Sequence, residues 1–301
     1  MHRRHFLKTT PVLLGMAVQG LSFQVGKNKP LLSFSTLGCP KWSFEKVVEC
    51  AVENGYQGIE IRGLQDCLDL PTCPEFSTPE RIAAARRLVE AHQLRLVDLG
   101  ASAQMHHADS AKRKTHLDEA KRFIDLAAQL NCPYIRVFPD DLPKDQDENA
   151  TIDLIINGLV ELGNYAKGSG VSVLLESHGK IVSSDLLLRI MKGAGHPHVG
   201  LVWDVFNMWS VTKEPPKKAY KTLKKFIAHV HIKDAIFANG KSEYVLLGQG
   251  EVPVKEAVRA LSKGGYKGYY SFEWEKRWHP EIEEPEIALP HFPKEILSYF
   301  K

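Results

Sequence analysis

The sequence predicts a closed (β/α)8 barrel, a TIM barrel in a single domain. Eight short runs rich in β-branched and aromatic residues alternate with eight longer runs of helical period. Strict alternation of this kind calls for a parallel sheet with helices outside, because parallel neighbours need crossover connections. Size agrees: the chain has 301 residues and 44% hydrophobic content, enough for one core of the roughly 250 residues such barrels use. An open doubly wound sheet is the alternative arrangement of the same units.

The elements follow in order. The first strand is read in "LLSFSTLG" from Leu31, and the first helix in "SFEKVVECAVENG", with Ser43 as its cap, Glu45 two residues on, and Gly55 as its stop. "GIEIR" from Gly58 precedes "TPERIAAARRLVEAHQ", which Thr78 caps with Glu80 in its first turn. "LRLVDLG" from Leu94 leads to "AKRKTHLDEAKRFIDLAAQL", and "YIRVFP" from Tyr134 to "ATIDLIINGLVELGNYAKGSG". "VSVLLESH" from Val171 leads to "SSDLLLRIMKGAG", stopped at Gly195. "VGLVWDV" from Val199 precedes "PPKKAYKTLKKFIAH", and "HVHIKDA" from His229 precedes "VPVKEAVRALSKGG", stopped at Gly264. The last pair is "YYSFEWE" from Tyr269 and a closing "PKEILSYF".

Ahead of these units stands "MHRRHFLKTTPVLLGMAVQG", with paired Arg3 and Arg4, then Phe6, Leu7 and Lys8, then an apolar run from Pro11 to Val18. It resembles a twin-arginine export signal, its apolar segment too short to span a bilayer as a helix. Residues 1 to 29 are therefore expected to be a leader, residues 30 to 301 the barrel, and the location periplasmic; an ordinary basic terminus on a cytoplasmic protein is the alternative. The formal charge of +3 includes five basic groups and no acid from residues 1 to 29, so the body carries −2. Such a body has no electrostatic footprint for nucleic acid, and no other run reaches the roughly 18 apolar residues of a membrane span. The five cysteines, Cys39, Cys50, Cys67, Cys73 and Cys132, form no CxxC pair. Neither a thiolate zinc site nor a disulfide framework is expected, and the odd count leaves at least one thiol free.

The chemistry starts from "VGLVWDVFNMW", where Asp204 sits alone in an apolar, strand-like run. A carboxylate buried there needs a compensating charge. Barrel active sites lie at the C-terminal ends of the strands. Glu176 closes the fifth strand and Asp204 the sixth, His231 lies within the seventh, and Glu273 is near the end of the eighth. Each alone reads equally as a helix cap or salt-bridge partner. Together they make an oxygen-rich set with one nitrogen, suited to Mn2+, Mg2+ or a similar divalent ion, which would supply the charge Asp204 lacks.

"VLLESHG", "LVWDVFN", "HVHIKDA" with the following "LLGQGEVP", and "YYSFEWE" resemble the xylose isomerase-like TIM-barrel superfamily of sugar isomerases and epimerases. The resemblance begins at "FSTLGCPKWSFEKVVECAVENGYQGIEIRG" and runs to Glu273. It implies one divalent metal held by Glu176, Asp204, His231 and Glu273, with Mn2+ the first choice and Mg2+, Co2+ or Zn2+ the alternatives. It also implies that Glu176 and Glu273 act as acid and base on either side of a substrate carbon beside a carbonyl. The substrate class is then a small carbohydrate: a ketose, inosose or keto-sugar.

Strand alternation puts His178 on the face of Glu176 and Lys233 on that of His231, two residues nearer the mouth, as candidate substrate contacts. A backbone-bonded loop histidine and a salt bridge to Asp234 are their alternatives. Arg136 and His107 are further candidates, the latter with His106 in a loop after the third strand. Glu60 is expected in a buried polar network, and His229 as a satisfied core histidine. Trp42, Trp274 and Trp278 offer either an aromatic face to a sugar or packing. Two departures stand against the ketose 3-epimerases of the superfamily, which have a His where this chain has Asn207 and an Arg where it has Phe237. They put free-ketose 3-epimerisation in doubt and leave the metal chemistry intact; the expected exported location favours a glycoside or 3-keto sugar derivative, on which a lyase or hydratase would use the same chemistry. A non-catalytic sugar-binding barrel is the third reading, and association into a homo-oligomer is left open.

Overall fold

The computed structural model describes residues 29–238 and 240–300; the expected leader, up to residue 28, lies outside the described residues. The chain runs β1 (Leu31–Ser35), α1 (Phe44–Glu53), β2 (Gly58–Ile61), α2 (Pro79–Ala91), β3 (Arg95–Gln104), α3 (Ser110–Gln129), β4 (Tyr134–Phe138), α4 (Glu148–Ala166), β5 (Ser172–Glu176) and α5 (Ser184–Ala194). It continues β6 (Val199–Asp204), α6 (Val205–Thr212), α7 (Pro216–Leu223), β7 (Ile227–Ile232), β8 (Asp234–Ala238), β9 (Lys241–Val245), α8 (Val254–Lys263), β10 (Tyr269–Phe272) and α9 (Pro285–Ser298).

Eight strands form a closed ring in the order β1, β10, β7, β6, β5, β4, β3, β2. Each neighbouring pair is parallel, and the ring is shut by β1 on β10, with Leu31 to Phe34 opposite Tyr269 to Phe272. All eight expected strands are present, and the open-sheet alternative is excluded by closure. Helix starts follow the expected chemistry: the hydroxyls of Ser43 and Thr78 accept from the amides of Lys46 and Arg81, both at 3.3 Å. Among the described residues no helix is long and apolar enough to cross a membrane.

Four features depart from the sequence reading. "HVHIKDA" is not one strand: the barrel strand ends at Ile232, and β8 pairs antiparallel with β9 as a hairpin beside the mouth. Asp234 makes the break, its carboxylate accepting from the amides of Gly248, Gly250 and Val252 at 3.0, 3.0 and 3.2 Å. A Cβ at residue 250 would lie 2.1 Å from Asp234 Oδ1, which is why the "GQG" turn needs a glycine there. The short α6 was not anticipated; Asp204 caps it, Oδ1 accepting from Asn207 N at 2.7 Å.

The last helix starts at Pro285 rather than Pro293 and contains Pro290 and Pro293. Pro293 has no N–H to give the Leu289 carbonyl, and the Tyr56 hydroxyl supplies that bond at 2.7 Å. Burial of Leu289, Phe292 and Ile296 then outweighs the proline cost. The cysteine expectation is also corrected: Cys67 and Cys73 form a disulfide in the loop after β2, with Cα atoms 5.7 Å apart. Left-handed Gln65 and Asp66 turn the chain just before Cys67, and no sequence spacing announces that turn. Cys39, Cys50 and Cys132 are free and buried.

Candidate metal centre and active site

Parallel strands deliver their last residues to one rim, and there Glu176, Asp204, His231 and Glu273 meet. One donor atom from each lies within 4.8 Å of the others, and all four residues are buried. His231 Nδ1 stands 3.1 Å from Glu273 Oε1, 3.5 Å from Glu176 Oε1 and 3.9 Å from Asp204 Oδ2. Its other nitrogen, Nε2, is 2.9 Å from Glu60 Oε2. A histidine anchored through one nitrogen presents the other in a fixed direction, which is how an outer carboxylate orients a metal-binding imidazole. Glu60 Oε2 also meets His229 Nε2 at 3.0 Å and accepts from Ser271 Oγ at 3.1 Å. The expected buried network of Glu60 and the satisfied core position of His229 are both found, with Glu60 Oε2 the shared partner of the two imidazoles.

The other candidates sort by contact. Arg136 is fully buried, its Nε 2.9 Å from Glu176 Oε2 and its Nη1 donating to Ala101 O at 2.7 Å. Lys233 Nζ does not bridge to Asp234; it lies 2.8 Å from Asp204 Oδ2 and 2.7 Å from Glu275 Oε1, and it bonds Glu273 Oε2. His178 is half-exposed, with Nδ1 2.6 Å from Asp140 Oδ1. Gly179 follows it with φ +61 and only 2.2 Å from a Cβ position to Asp140 O, so the backbone can make this contact only with glycine. His107 touches none of the four central residues; its Nε2 is 3.0 Å from Gln104 Oε1, and Gln104 in turn bonds Asp140. His107 thus reaches the centre only through Gln104, Asp140 and His178.

The electrostatics define what the centre can hold. Burial and the neighbouring Glu273 and Glu176 push Asp204 up to about 7, against the lowering effect of Lys233. Burial opposes charge on His231, yet Glu273, Glu60 and Glu176 hold its pKa well above the ordinary value. Burial, reinforced by Glu60, pushes Asp98 up to about 8 and so keeps it neutral near pH 7. The centre then holds the buried carboxylates Glu60, Glu176, Asp204, Glu273 and Glu275, facing the permanent cations Arg62, Arg136 and Lys233, while the buried Asp234 carboxylate is taken up by backbone amides. With these five ionised and His231 neutral, as metal ligation requires, the surplus is two negative charges, that of one dication. His231 Nδ1 is buried without a hydrogen-bond partner, while Glu176 Oε2 and Asp204 Oδ2 are ion-paired with Arg136 and Lys233. An unpartnered imidazole nitrogen where three buried carboxylates meet fits a divalent cation.

The family model described as xylose isomerase-like TIM barrel matches residues 48–292. The chain belongs to this family. Fructoselysine 3-epimerase of Shigella flexneri is 24% identical over 253 residues, covering 79% of this chain and 87% of that protein. Inosose isomerase of Halalkalibacterium halodurans is 25% identical over 236 residues, covering 76% of this chain and 81% of that one. The IolI protein, solved with a zinc atom, superposes with a TM-score of 0.75 at 20% identity, covering 89% of this chain and 97% of that one. The 3-keto-D-glucoside 4-epimerase of E. coli gives 0.71 at 17% identity, covering 90% and 99%. A probable 3-DHS dehydratase of Bacillus anthracis gives 0.71 at 18%, covering 88% and 98%. At these identities the solved structures bear on the fold alone; the two curated relatives above are an epimerase and an isomerase.

Within the xylose isomerase-like frame, two residues overlooked in the sequence line the mouth. Arg62 follows Glu60 by two positions at the end of β2; its Nη2 donates to Ser102 Oγ at 3.0 Å, while Nη1 is buried without a partner. Burial and the nearby Arg136 push it down to about 10. Gly100 lets these two arginines approach, since a Cβ there would lie 2.6 Å from Arg62 Cδ and 2.9 Å from Arg136 Nη2. Glu275 follows Glu273 by two and holds Lys233. The departures also have locations. Asn207 Nδ2 donates to Glu176 Oε1 at 3.3 Å. Phe237 stands on the hairpin against Phe206 and Trp209, with ring centroids 6.1 and 5.6 Å away. An apolar wall occupies that side of the mouth.

Proposed function

We propose that the protein is a divalent-metal-dependent sugar isomerase or epimerase, moving a proton beside the carbonyl of a ketose, inosose or keto-sugar. The observation that carries this reading is the convergence of Glu176 and Glu273, from strands separated by β6 and β7, on the single point marked by His231 Nδ1. Glu176, Asp204, His231 and Glu273 would hold the metal, Mn2+ first among Mg2+, Co2+ and Zn2+. When bound, such an ion supplies Lewis-acid polarisation of the carbonyl, which acidifies the adjacent C–H.

In this reading the chain's own groups do the rest. One glutamate takes the proton at a carboxylate oxygen and the other returns one to the carbon, inverting the centre if the return is from the opposite face. The Lys233 ammonium stabilises the negative oxygen of the enediolate. Arg136 holds Glu176 ionised and oriented. Arg62 Nη1 and the imidazole of His178 are donors for substrate oxygens.

A second reading is favoured by the apolar wall of Phe206, Trp209 and Phe237. Its ring faces suit the C–H face of a cyclic 3-keto-glycoside better than the polar tail of an open-chain ketose. Removal of the proton beside the keto group would there expel the β-positioned oxygen, which leaves with a proton as an alcohol, as in a lyase.

The test is proton exchange. The Mn2+-loaded protein is incubated in D2O with ketoses, inososes and 3-keto-glycosides, then quenched, freed of metal and examined by NMR. Metal-dependent loss of one C–H signal is expected, with the product separating epimerase from lyase. Glu273→Gln should slow it by about 10²–10⁴-fold. No exchange in the wild type, with sugar affinity unchanged in Glu273→Gln, would mark a binding barrel instead. We further propose that residues 1–29 are an export leader and the working location is the periplasm. The Cys67–Cys73 disulfide supports this, because such bonds persist in oxidising compartments. A tagged chain lacking Arg3 and Arg4 should stay inside the cell, and unchanged export would overturn the leader.

A further inference from the structure

The tryptophans near the mouth have different surroundings. Trp274 is fully buried, and its Nε1 donates to Glu283 O at 2.9 Å, so it serves packing. Trp42 and Trp278 line one cleft of about 400 Å³, together with Asp66, Arg277 and Glu284. Its walls are the loops leaving the C-terminal ends of β1, β2 and β10, the rim that also carries Arg62 and Glu273. Glu273 and Lys276, a lining residue, are three positions apart. The Lys276 Cα therefore lies within about 11 Å of the Glu273 Cα, since extended chain advances at most ~3.6 Å per residue.

The cleft is built rather than incidental. Lys46 Nζ lies 4.1 Å over the Trp42 ring and is held 2.8 Å from Glu286. Arg277 spans the opening: its guanidinium is 5.2 Å from the Trp278 ring and 3.2 Å from Asp66 Oδ1, and its amide donates to Leu37 O at 3.1 Å. Lys276 Nζ is consumed by Pro280 O, Ile282 O and Glu284 Oε1 at 2.6–2.8 Å. Trp278 nonetheless remains 52% exposed. Such a large aromatic surface is worth burying, and a ring with one polar edge is suited to a partner that is apolar on one face and wet on the other. The charged residues of the lining balance, with Lys41, Lys276 and Arg277 against Asp66, Glu284 and Glu286. The cleft therefore selects neither an anion nor a cation. A neutral sugar ring, with a C–H face for the indole and hydroxyls for the carboxylates, matches both properties.

We infer that this cleft is a subsite for the second sugar ring of a glycoside whose keto-sugar ring occupies the metal centre. The inference rests on the proposed keto-sugar chemistry and specifies its substrate: a disaccharide-sized molecule rather than a free monosaccharide. Trp278 is the platform for the distal ring, and Asp66 and Glu284 accept its hydroxyl protons.

The test uses the Mn2+-loaded full chain and two probes that differ only in the aglycone, methyl 3-keto-β-D-glucoside and 3-keto-cellobiose oxidised in its non-reducing ring. Calorimetric titration should find the disaccharide bound about tenfold more tightly, the ~1.4 kcal/mol of one decade. Trp278→Ala should bring the ratio to about one, and Trp278→Phe should restore part of it. Equal binding of the two probes, failure of the disaccharide to bind, or an advantage that survives Trp278→Ala would each overturn the subsite. D2O exchange on the same samples separates the two proposals. A ring advantage that depends on Trp278, with no exchange of either probe, would keep the subsite and discard the proton-transfer chemistry.

Discussion

Asp98 is the residue-scale counterpart of Asp204: a lone aspartate in an apolar strand, fully buried, with neither oxygen hydrogen-bonded. The rule that singled out Asp204 in "VWDV" applied equally to "VDLG" and was not used there. Likewise, the two-residue strand period that pointed to His178 and Lys233 also places Arg62 after Glu60 and Glu275 after Glu273. The central four were legible because each is an ionisable group at an apolar strand end; Gln104 and Asp140 were not, because their contacts depend on loop and backbone conformations. Asp98 has a pH consequence. Its folded pKa of about 8 lies above the ~3.9 of an unfolded aspartate, so between these values the folded state keeps a proton the unfolded chain releases. Its contribution to stability therefore falls as pH rises from about 4 to 8. Asp98→Asn should gain on the wild type across that window in thermal melts of metal-free protein, and a constant gap would refute the assignment. Glu60 has a consequence for metal. Glu60→Gln removes the charge that fixes His231 Nε2, and Mn2+ affinity read by EPR titration should weaken about 10–100-fold.

At the scale of elements, boundaries were readable where caps are local and unreadable where tertiary contacts set them. Ser43, Thr78 and Gly195 act within their own helices. By contrast, α9 keeps two prolines because Tyr56, far away in sequence, satisfies the freed carbonyl, and β8 leaves the barrel because a turn more than ten residues on wraps the Asp234 carboxylate. The loop after β2 belongs to the second kind. Its disulfide closes a short ring just beyond Arg62, and its Asp66 is tied across to Arg277. Chain-entropy arguments for so small a ring give about 2 kcal/mol, or roughly 4–8 °C in melting temperature for a domain of this size. Replacing Cys67 and Cys73 by serine should produce that loss in calorimetry. A reductant should produce the same loss in the wild type and none in the variant.

For the whole molecule, closure was legible from the count of alternating units, whereas the charge ledger of the interior was not, since it depends on which side chains share the barrel axis. That ledger predicts strong coupling of metal to folding. A ligand that binds only the folded state stabilises it by about 2.7 kcal/mol at a hundredfold excess over its Kd. Mn2+ should therefore raise the melting temperature by several degrees, EDTA should reverse the gain, and Asp204→Asn should blunt it; a melting temperature indifferent to metal would contradict the fit of the four donors. The ring also has a bearing on synthesis. β1 finds its second neighbour only in Tyr269 to Phe272, and the next residue is Glu273. A ribosome has made every other strand of the barrel before either the ring can shut or its last carboxylate can arrive. A chain cut short anywhere before that strand loses in one stroke both the closure of the ring and the fourth residue of the buried donor set.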